Sequence, residues 1–281
     1  MKFSCILATR DFGYREELTI RNIRRAFSDV EVIVVTPQEI SQKQVARMDI
    51  KICKDARKGI HAAYNLGSLQ AQGDYLFFAG SGDIYSMKAG RTVTKAMQNN
   101  PGKDIYGFGS VWAKWAKVSI QIGDVRQDSQ WNSGVLVSGL PVSHQAMFYK
   151  REKFREIGLL DENLKTSSDY KHLASAFLKG ADMQISNTCI AIVDNGGISS
   201  NQGNLVLEEH IAIVNENLGL EDLELAEKIF RAGKGWASLD PNESISLEVQ
   251  QMVNEARQVS QPHPKMKLPL LILFGYAAIF G

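Results

Sequence analysis

The N-terminal part of the chain alternates between short apolar runs and longer stretches whose apolar residues recur at helical spacing. The runs predict buried strands, and the stretches with one apolar face predict helices. Strands are predicted at 3–9, 30–35, 50–53 and 75–79, and helices at 14–27, 41–48, 59–72 and 87–98. This alternation predicts an α/β fold with a mostly parallel sheet flanked by helices and right-handed crossovers.

The pattern changes after residue 104, where short apolar runs are separated by Gly, Asn and Ser. It predicts strands at 106–111, 118–122, 135–137, 183–185 and 189–193, and a helix at 166–180. Trp112, Trp115 and Trp131 crowd the first part of this region. Aromatic rings stack on sugars but also pack in protein cores, so both interpretations stay open for each tryptophan.

Beyond Gly203 the chain becomes more charged, and amphipathic helices are predicted at 205–218, 223–232 and 244–259. We therefore expect a main domain over 1–200 and a helical extension over 201–281. Residues 268–281 carry no charge and follow Lys265 and Lys267. This tail is shorter than the roughly 20 residues of a membrane span. It suits docking on an anionic inner leaflet or packing on protein.

Composition narrows the class of protein. The chain has 281 residues and a formal net charge of +1, which gives no reason to expect a nucleic-acid partner. The three cysteines are far apart and lack metal or disulfide spacing, so free thiols in a reducing cytosol are expected. The N-terminus enters a strand whose apolar run is too short for a signal peptide, and a cytoplasmic location is predicted.

The first chemical signal is Gly80-Ser81-Gly82-Asp83, which follows the predicted strand at 75–79. Ligands of open α/β sheets bind beyond the carboxyl ends of the strands, and glycines allow the backbone to approach them closely. A carboxylate there could hold a divalent metal that neutralises a diphosphate. Alternatively, the segment is only a loop with Asp83 near a helix start.

The surrounding segment, GIHAAYNLGSLQAQGDYLFFAGSGD, resembles the family 2 glycosyltransferases of bacterial exopolysaccharide synthesis, which are inverting enzymes with the A-type nucleotide-sugar fold. Their pattern is close to GIYDAMNKGI, then GDYILFL, then an acidic loop such as NSGD. The matching residues are Gly59, Ile60, Ala63, Asn65, Gly67, Gly73-Asp74-Tyr75 and Gly82-Asp83. Further matches are the His144-Gln145 pair, EIGLLDE at 156–162, Ser168-Asp169-Tyr170 and the GGIS turn at 196–199, so the resemblance covers about residues 1–200.

The resemblance implies specific roles. Asp169 would be the general base, His144 would lie near the metal or the diphosphate, and Asp83 would bind Mn or Mg. The implied donor contacts come from Thr9, Arg10, Gly59, Asn65, Gly80, Ser81 and Gly82. The alternatives are a core histidine at His144 and a helix-dipole partner at Asp169.

Several carboxylates of the family pattern are missing. Thr36-Pro37-Gln38-Glu39 replaces the usual Asp-Gly-x-Ser-x-Asp, and Arg57 and Ala62 occupy positions that are acidic in the family. A donor other than the common uridine sugars and a weak or absent metal dependence are therefore open. The expected function is hexosyl transfer from a nucleoside diphosphate sugar to a glycan or lipid-linked acceptor in polysaccharide biosynthesis. The alternative is a catalytically silent binding subunit of a glycan-assembly complex.

Overall fold

The computed structural model describes residues 1–113, 131–194, 196–197, 202–239 and 245–259. The strands are β1 (Phe3–Ala8), β2 (Val30–Thr36), β3 (Lys51–Lys54), β4 (Tyr75–Ala79), β5 (Ile84–Tyr85), β6 (Ile105–Ala113), β7 (Met147–Lys150) and β8 (Met183–Asp194). The helices are α1 (Tyr14–Ala26), α2 (Gln42–Met48), α3 (Ile60–Gln70), α4 (Ala89–Asn99), α5 (Val135–Ser138), α6 (Arg151–Ile157), α7 (Ser168–Leu178), α8 (Gly203–Leu218), α9 (Leu223–Gly233) and α10 (Leu247–Val259), and His144–Ala146 forms a 3₁₀ turn.

All eight strands join one sheet in the order β3-β2-β1-β4-β7-β6-β8-β5. The half formed by β3, β2, β1 and β4 is parallel, as the helical crossovers of the sequence predict. In the other half, β7 is antiparallel to both β4 and β6, β8 is parallel to β6, and β5 is antiparallel to β8. The predicted α/β class with helices flanking the sheet is confirmed.

Two apolar cores cover the two faces of the sheet. Every residue of β1, β2 and β4 is therefore buried. Cys5 and Leu7 face the core under α1 and α4, whereas Ile6 and Ala8 face the core under α3 and α7. Gly67 allows α3 to lie close to the sheet, since a Cβ there would collide with Ile6. Because α3 is the crossover between the parallel strands β3 and β4, its N-terminus lies at the carboxyl ends of the strands.

The helices of the extension pack on the same core as α3 and α7. Val214 of α8, Phe230 of α9 and Ala256 of α10 are buried in it. The predicted division at residue 200 stays a prediction, but the extension shares a core with the sheet. Among the described residues, no helix has the length and apolar character needed to cross a membrane.

Two segments differ from the sequence-based expectation. Residues 135–137 form helix α5 and not a strand, because the Val-Leu-Val run lies among helices, with its residues packed into the core shared by α7, α9 and α10. Gly134, which precedes it, lies so close to α10 that a Cβ would be 2.6 Å from the Ala256 nitrogen. The expected strands at 183–185 and 189–193 are one strand, β8, with irregular register opposite Gly109. The strand expected at 118–122 falls outside the described residues.

Two buried histidines stack on aromatic rings of the core under α3 and α7. The His144 ring stacks on Phe78 with centroids 4.6 Å apart, and the His172 ring lies 4.4 Å from that of Phe154. Burial lowers the pKa of His144 to about 3 and that of His172 to about 4. Both rings are therefore neutral at physiological pH.

These histidines should make the protein sensitive to acid. Below a pH of about 6.5 the unfolded chain takes up protons that the folded chain excludes, so stability present above that pH is lost as the pH falls towards 4. Replacement His172→Phe keeps the ring stack and removes one titration. Urea unfolding at pH 7 and pH 4.5 should show a smaller acid loss in this variant, by about 2–3 kcal/mol. Equal losses in both proteins would contradict the prediction.

Candidate active site

Two cavities adjoin each other, and the larger of them lies where β1 and β4 end. The larger, which we name the strand-end cavity, has a volume of about 410 Å³ and is lined by residues that include Thr9, Arg10, Arg15, Arg57, Gly59, His61, Gly80, Ser81, Asp83, Lys165 and Asp194. The smaller, which we name the polar cavity, has about 330 Å³ and is lined by residues that include Ser110, Ser143, Ser167, Asn187, His210 and Lys234. Trp112, His144, Gln145, Thr166 and Asp169 line both. Each volume falls in the range of small-molecule sites, about 300–1,000 Å³.

Asp83 is buried beneath the strand-end cavity. Its carboxylate accepts the backbone N–H of Gly80 at 2.6 Å and that of Asp194 at 2.9 Å. Burial raises the pKa of Asp83 to about 7, against the effect of these two hydrogen bonds. The side chain therefore joins the loop after β4 to the end of β8.

Arg15 lies beside this loop. Its guanidinium is 2.6 Å from the carboxylate of Asp194. Gly82 has a φ of 93°, and a Cβ there would collide with the guanidinium. The second glycine of the Gly80–Asp83 loop is therefore needed both for the backbone conformation and for the close approach of a cation.

The metal site predicted at Asp83 stays a prediction, and the surroundings of this side chain bear on it. Both of its oxygens already accept backbone N–H groups, and the neighbouring carboxylate of Asp194 is paired with Arg15. The described residues contain no group of three or more His, Cys, Asp and Glu side chains arranged to hold a metal ion. Positive charge at the cavity comes from the side chains of Arg10, Arg57 and Lys165, besides Arg15, which pairs with Asp194.

Asp169 occupies the first turn of α7, where the positive end of the helix dipole favours a carboxylate. Its Oδ1 accepts the N–H of Tyr170 at 2.8 Å. The residue is half-buried because it faces both cavities. Desolvation raises the pKa of Asp169, and nearby His61 opposes this rise. The result is a carboxylate that is a stronger base than a solvated one and can still be reached from each cavity.

His144 is buried in the wall between the cavities, and only 5% of its surface is exposed. Its Nε2 has no hydrogen-bond partner among the described residues. A neutral imidazole with an unused ring nitrogen can make a hydrogen bond to a ligand. With a pKa of about 3, it has no proton to give as a general acid near neutral pH.

The structure brings most of the remaining predicted residues together. Thr9, Arg10, Gly59, Gly80 and Ser81 all line the strand-end cavity.

Two of the predicted donor-binding residues, Asn65 and Gly82, are not among those that line the described cavities. The Asn65 amide donates to the carbonyl of Leu160 at 2.8 Å and accepts the Leu160 N–H at 2.9 Å. Asn65 thus holds the turn after α6 against α3.

The tryptophans divide between the two interpretations. Trp112 lines both cavities and is placed to contact a ligand. Trp131 donates its indole N–H to the Ala181 carbonyl at 2.7 Å and packs edge-on against Phe177, which is a packing role. Trp115 lies outside the described residues.

Sequence reasoning missed the cavity positions of Arg15, His61, Lys165 and Asp194. Arg15 and His61 had a usable signal, because each lies in the first turn of a helix that follows a parallel strand. Lys165 and Asp194 had none, since their approach to the cavity depends on how β8 and α7 pack against the parallel half.

No protein-family model matches this chain, and no curated protein matches it. Solved structures do share its fold. The 1–349 fragment of TarS from S. aureus in complex with UDP-GlcNAc superposes with a TM-score of 0.63 at 13% identity, over 92% of this chain and 82% of that one. The mannosyltransferase PcManGT from Pyrobaculum calidifontis, in complex with GDP-Man and Mn²⁺, gives a TM-score of 0.58 at 12% identity, over 99% and 80%. At these identities the likeness establishes the fold.

Proposed function

We propose that this chain is an inverting glycosyltransferase that moves a sugar from a nucleoside diphosphate sugar to an acceptor hydroxyl. The observation that carries the proposal is the position of Asp169, a carboxylate of raised pKa that faces both cavities. Inversion takes a single in-line attack, so one base between donor and acceptor is sufficient. The nucleotide sugars bound by the structural neighbours support the choice of donor class.

In this proposal the strand-end cavity binds the donor. It lies beyond the carboxyl ends of β1 and β4, the usual ligand position in such sheets. The cations Arg10, Arg57 and Lys165 line it and would neutralise the diphosphate, while the glycines at 59 and 80 leave room for it. We propose that these side chains give donor binding a weak or absent dependence on metal.

The polar cavity would bind the acceptor. Its walls carry hydroxyl and amide groups from Ser110, Ser143 and Asn187, and the aromatic face of Trp112. Such groups suit a hydroxyl-rich ligand such as a sugar. The acceptor hydroxyl would give its proton to Asp169 as it attacks, and the neutral His144 would hydrogen-bond a ligand in the shared wall. A glycan or lipid-linked acceptor in polysaccharide biosynthesis, and a hexose as the transferred sugar, complete the proposal.

The second candidate is a catalytically silent binding subunit of a glycan-assembly complex. Arg57 and Ala62, which stand at positions that are acidic in the family pattern, motivate it. This candidate predicts binding without turnover.

Donor binding can be measured as a thermal shift with UDP or GDP, in chelator and in manganese. Ligand at about 100 times its dissociation constant stabilises the folded state by about 2.7 kcal/mol. We expect equal shifts of the melting temperature in both conditions and a smaller shift in Arg57→Gln.

The variant Asp83→Asn should lower the free energy of unfolding by about 1–3 kcal/mol, because one backbone N–H loses its acceptor, without changing the response to manganese.

Binding that requires manganese and disappears in Asp83→Asn would instead establish Asp83 as a metal ligand. The absence of any shift in both conditions would contradict the proposed donor class.

Asp169→Asn tests the mechanism. A base acts on the acceptor hydroxyl, so the variant should bind nucleotide normally and lose about 10²- to 10⁴-fold in transfer rate. Asp161→Asn is the matched control. It removes a carboxylate that pairs with Lys171, a residue of α7 like Asp169. If Asp169→Asn only lowers the melting temperature and each folded molecule turns over normally, Asp169 is a helix-end residue.

The uncharged residues 268–281, preceded by Lys265 and Lys267, motivate a peripheral contact with the inner face of the membrane. The full chain should sediment with anionic vesicles, and a chain ending at Gln261 should not. Transfer to a soluble acceptor should be unchanged. Insolubility of the shortened chain, or equal sedimentation of both chains, would show that the tail does not act as a membrane contact.

A further inference from the structure

Glu209 carries an unusual load of hydrogen bonds for a side chain outside the predicted catalytic part. It lies on α8 and is buried. Its carboxylate accepts the backbone N–H groups of Lys165 at 2.6 Å, Thr166 at 2.9 Å and Ser167 at 2.9 Å, together with the Thr166 hydroxyl at 2.6 Å. These four bonds lower the pKa of Glu209 against the effect of its burial.

The bonds all end on the segment that enters α7. The first N–H groups of a helix have no partner within it and are usually capped by a side chain just before it. Ser167 is the N-cap residue of α7, and its side chain makes no capping bond among the described residues. Of the three N–H groups that Glu209 accepts, that of the N-cap Ser167 belongs to this helix end, and those of Lys165 and Thr166 precede it. The charge of Glu209 suits the positive end of the helix dipole.

This segment is part of both cavities. Lys165 and Thr166 line the strand-end cavity. Asp169 follows two positions after Ser167, the last residue whose N–H group Glu209 accepts. Helix α8 packs against α7, where the ring of His210 contacts that of Tyr170. A shift of Glu209 would therefore move Asp169, the proposed base.

We propose that Glu209 is a positioning residue of the active site, which holds Asp169 and Lys165 in place, so that the helical extension completes the site. The inference rests on the proposed role of Asp169 as the base. The charge of Glu209 also acts on Asp169 through space. It raises the pKa of Asp169, so its removal should lower that pKa. Other titratable groups around Asp169 in the described part of the chain include His61 and Tyr64 on α3, His144, Tyr149 on β7, Lys165 and His210 on α8.

The test compares Glu209→Gln with Glu216→Gln, which removes a carboxylate from the same helix that bonds to a lysine on the surface. In Glu209→Gln, kcat should fall by about 10- to 100-fold, as expected for a base displaced by about 1 Å. Nucleotide affinity should also fall, because the backbone of Lys165 loses its contact with the charged side chain. The acid limb of its pH–rate profile should move to lower pH. In Glu216→Gln both kcat and the limb should stay as in the parent protein.

The conservative variant Glu209→Asp keeps the charge and shortens the reach. Its kcat should fall while the acid limb of the pH–rate profile stays in place. This variant replaces Glu209→Gln in the test if Glu209→Gln does not fold. Equal kcat and equal pH profiles in the parent and the Glu209 variants would overturn the inference while Asp169→Asn remains inactive.

If the parent protein transfers no sugar, the proposed function fails, and the role of Glu209 is tested without substrate. A ¹³C carboxyl titration should then show a lower pKa for Asp169 in Glu209→Gln than in Glu216→Gln. Amide exchange at 165–167 should be faster in the first variant. No difference in either measurement would overturn the inference.

Discussion

The shape of the candidate site depends on one buried carboxylate. Asp83 accepts an N–H group from the loop after β4 and another from the end of β8, two segments that are 111 residues apart in the chain. The bond to Asp194 places that residue beside Arg15, and Arg15 in turn requires a glycine at position 82. A buried acceptor that binds two backbone donors is costly to remove, because both donors would lose their partner. Asp83 therefore holds the parallel half of the sheet to its mixed half where the cavities form.

The same arrangement decides the charge of the site. Asp83 accepts two N–H groups and Asp194 is paired with Arg15, so the negative charge of both carboxylates is partly compensated within the protein. Basic side chains from the loop after β1, the segment before α3 and the segment before α7 line the strand-end cavity. In the proposed function these cations would compensate the negative charge of a diphosphate in a half-enclosed cavity.

The helical extension has a further role beyond covering the core. It buries apolar residues of α8, α9 and α10 against the sheet, and it also supplies Glu209 to the N-terminus of α7. The carboxylate that binds the segment before α7 thus comes from about 40 residues later in the chain, so the position of the proposed base depends on tertiary packing. Separation of the extension from the rest would remove both the core contacts and these hydrogen bonds.

The sequence by itself determined the parallel half of the sheet and the position of the site. Strands β1, β2 and β4 are continuous apolar runs between helices with one apolar face, a pattern that few folds accommodate. The Gly80–Asp83 loop, His144 and Asp169 could also be recognised, because each lies in a short local motif. The tertiary structure alone decided where side chains point and what they bind. Val135–Ser138 is helical because it packs among helices, and the Asn65 amide binds a turn 95 residues away. Asp83 and Glu209 accept N–H groups from distant segments. Local periodicity carries no information on such long-range pairs, since they exist only after the apolar faces have packed.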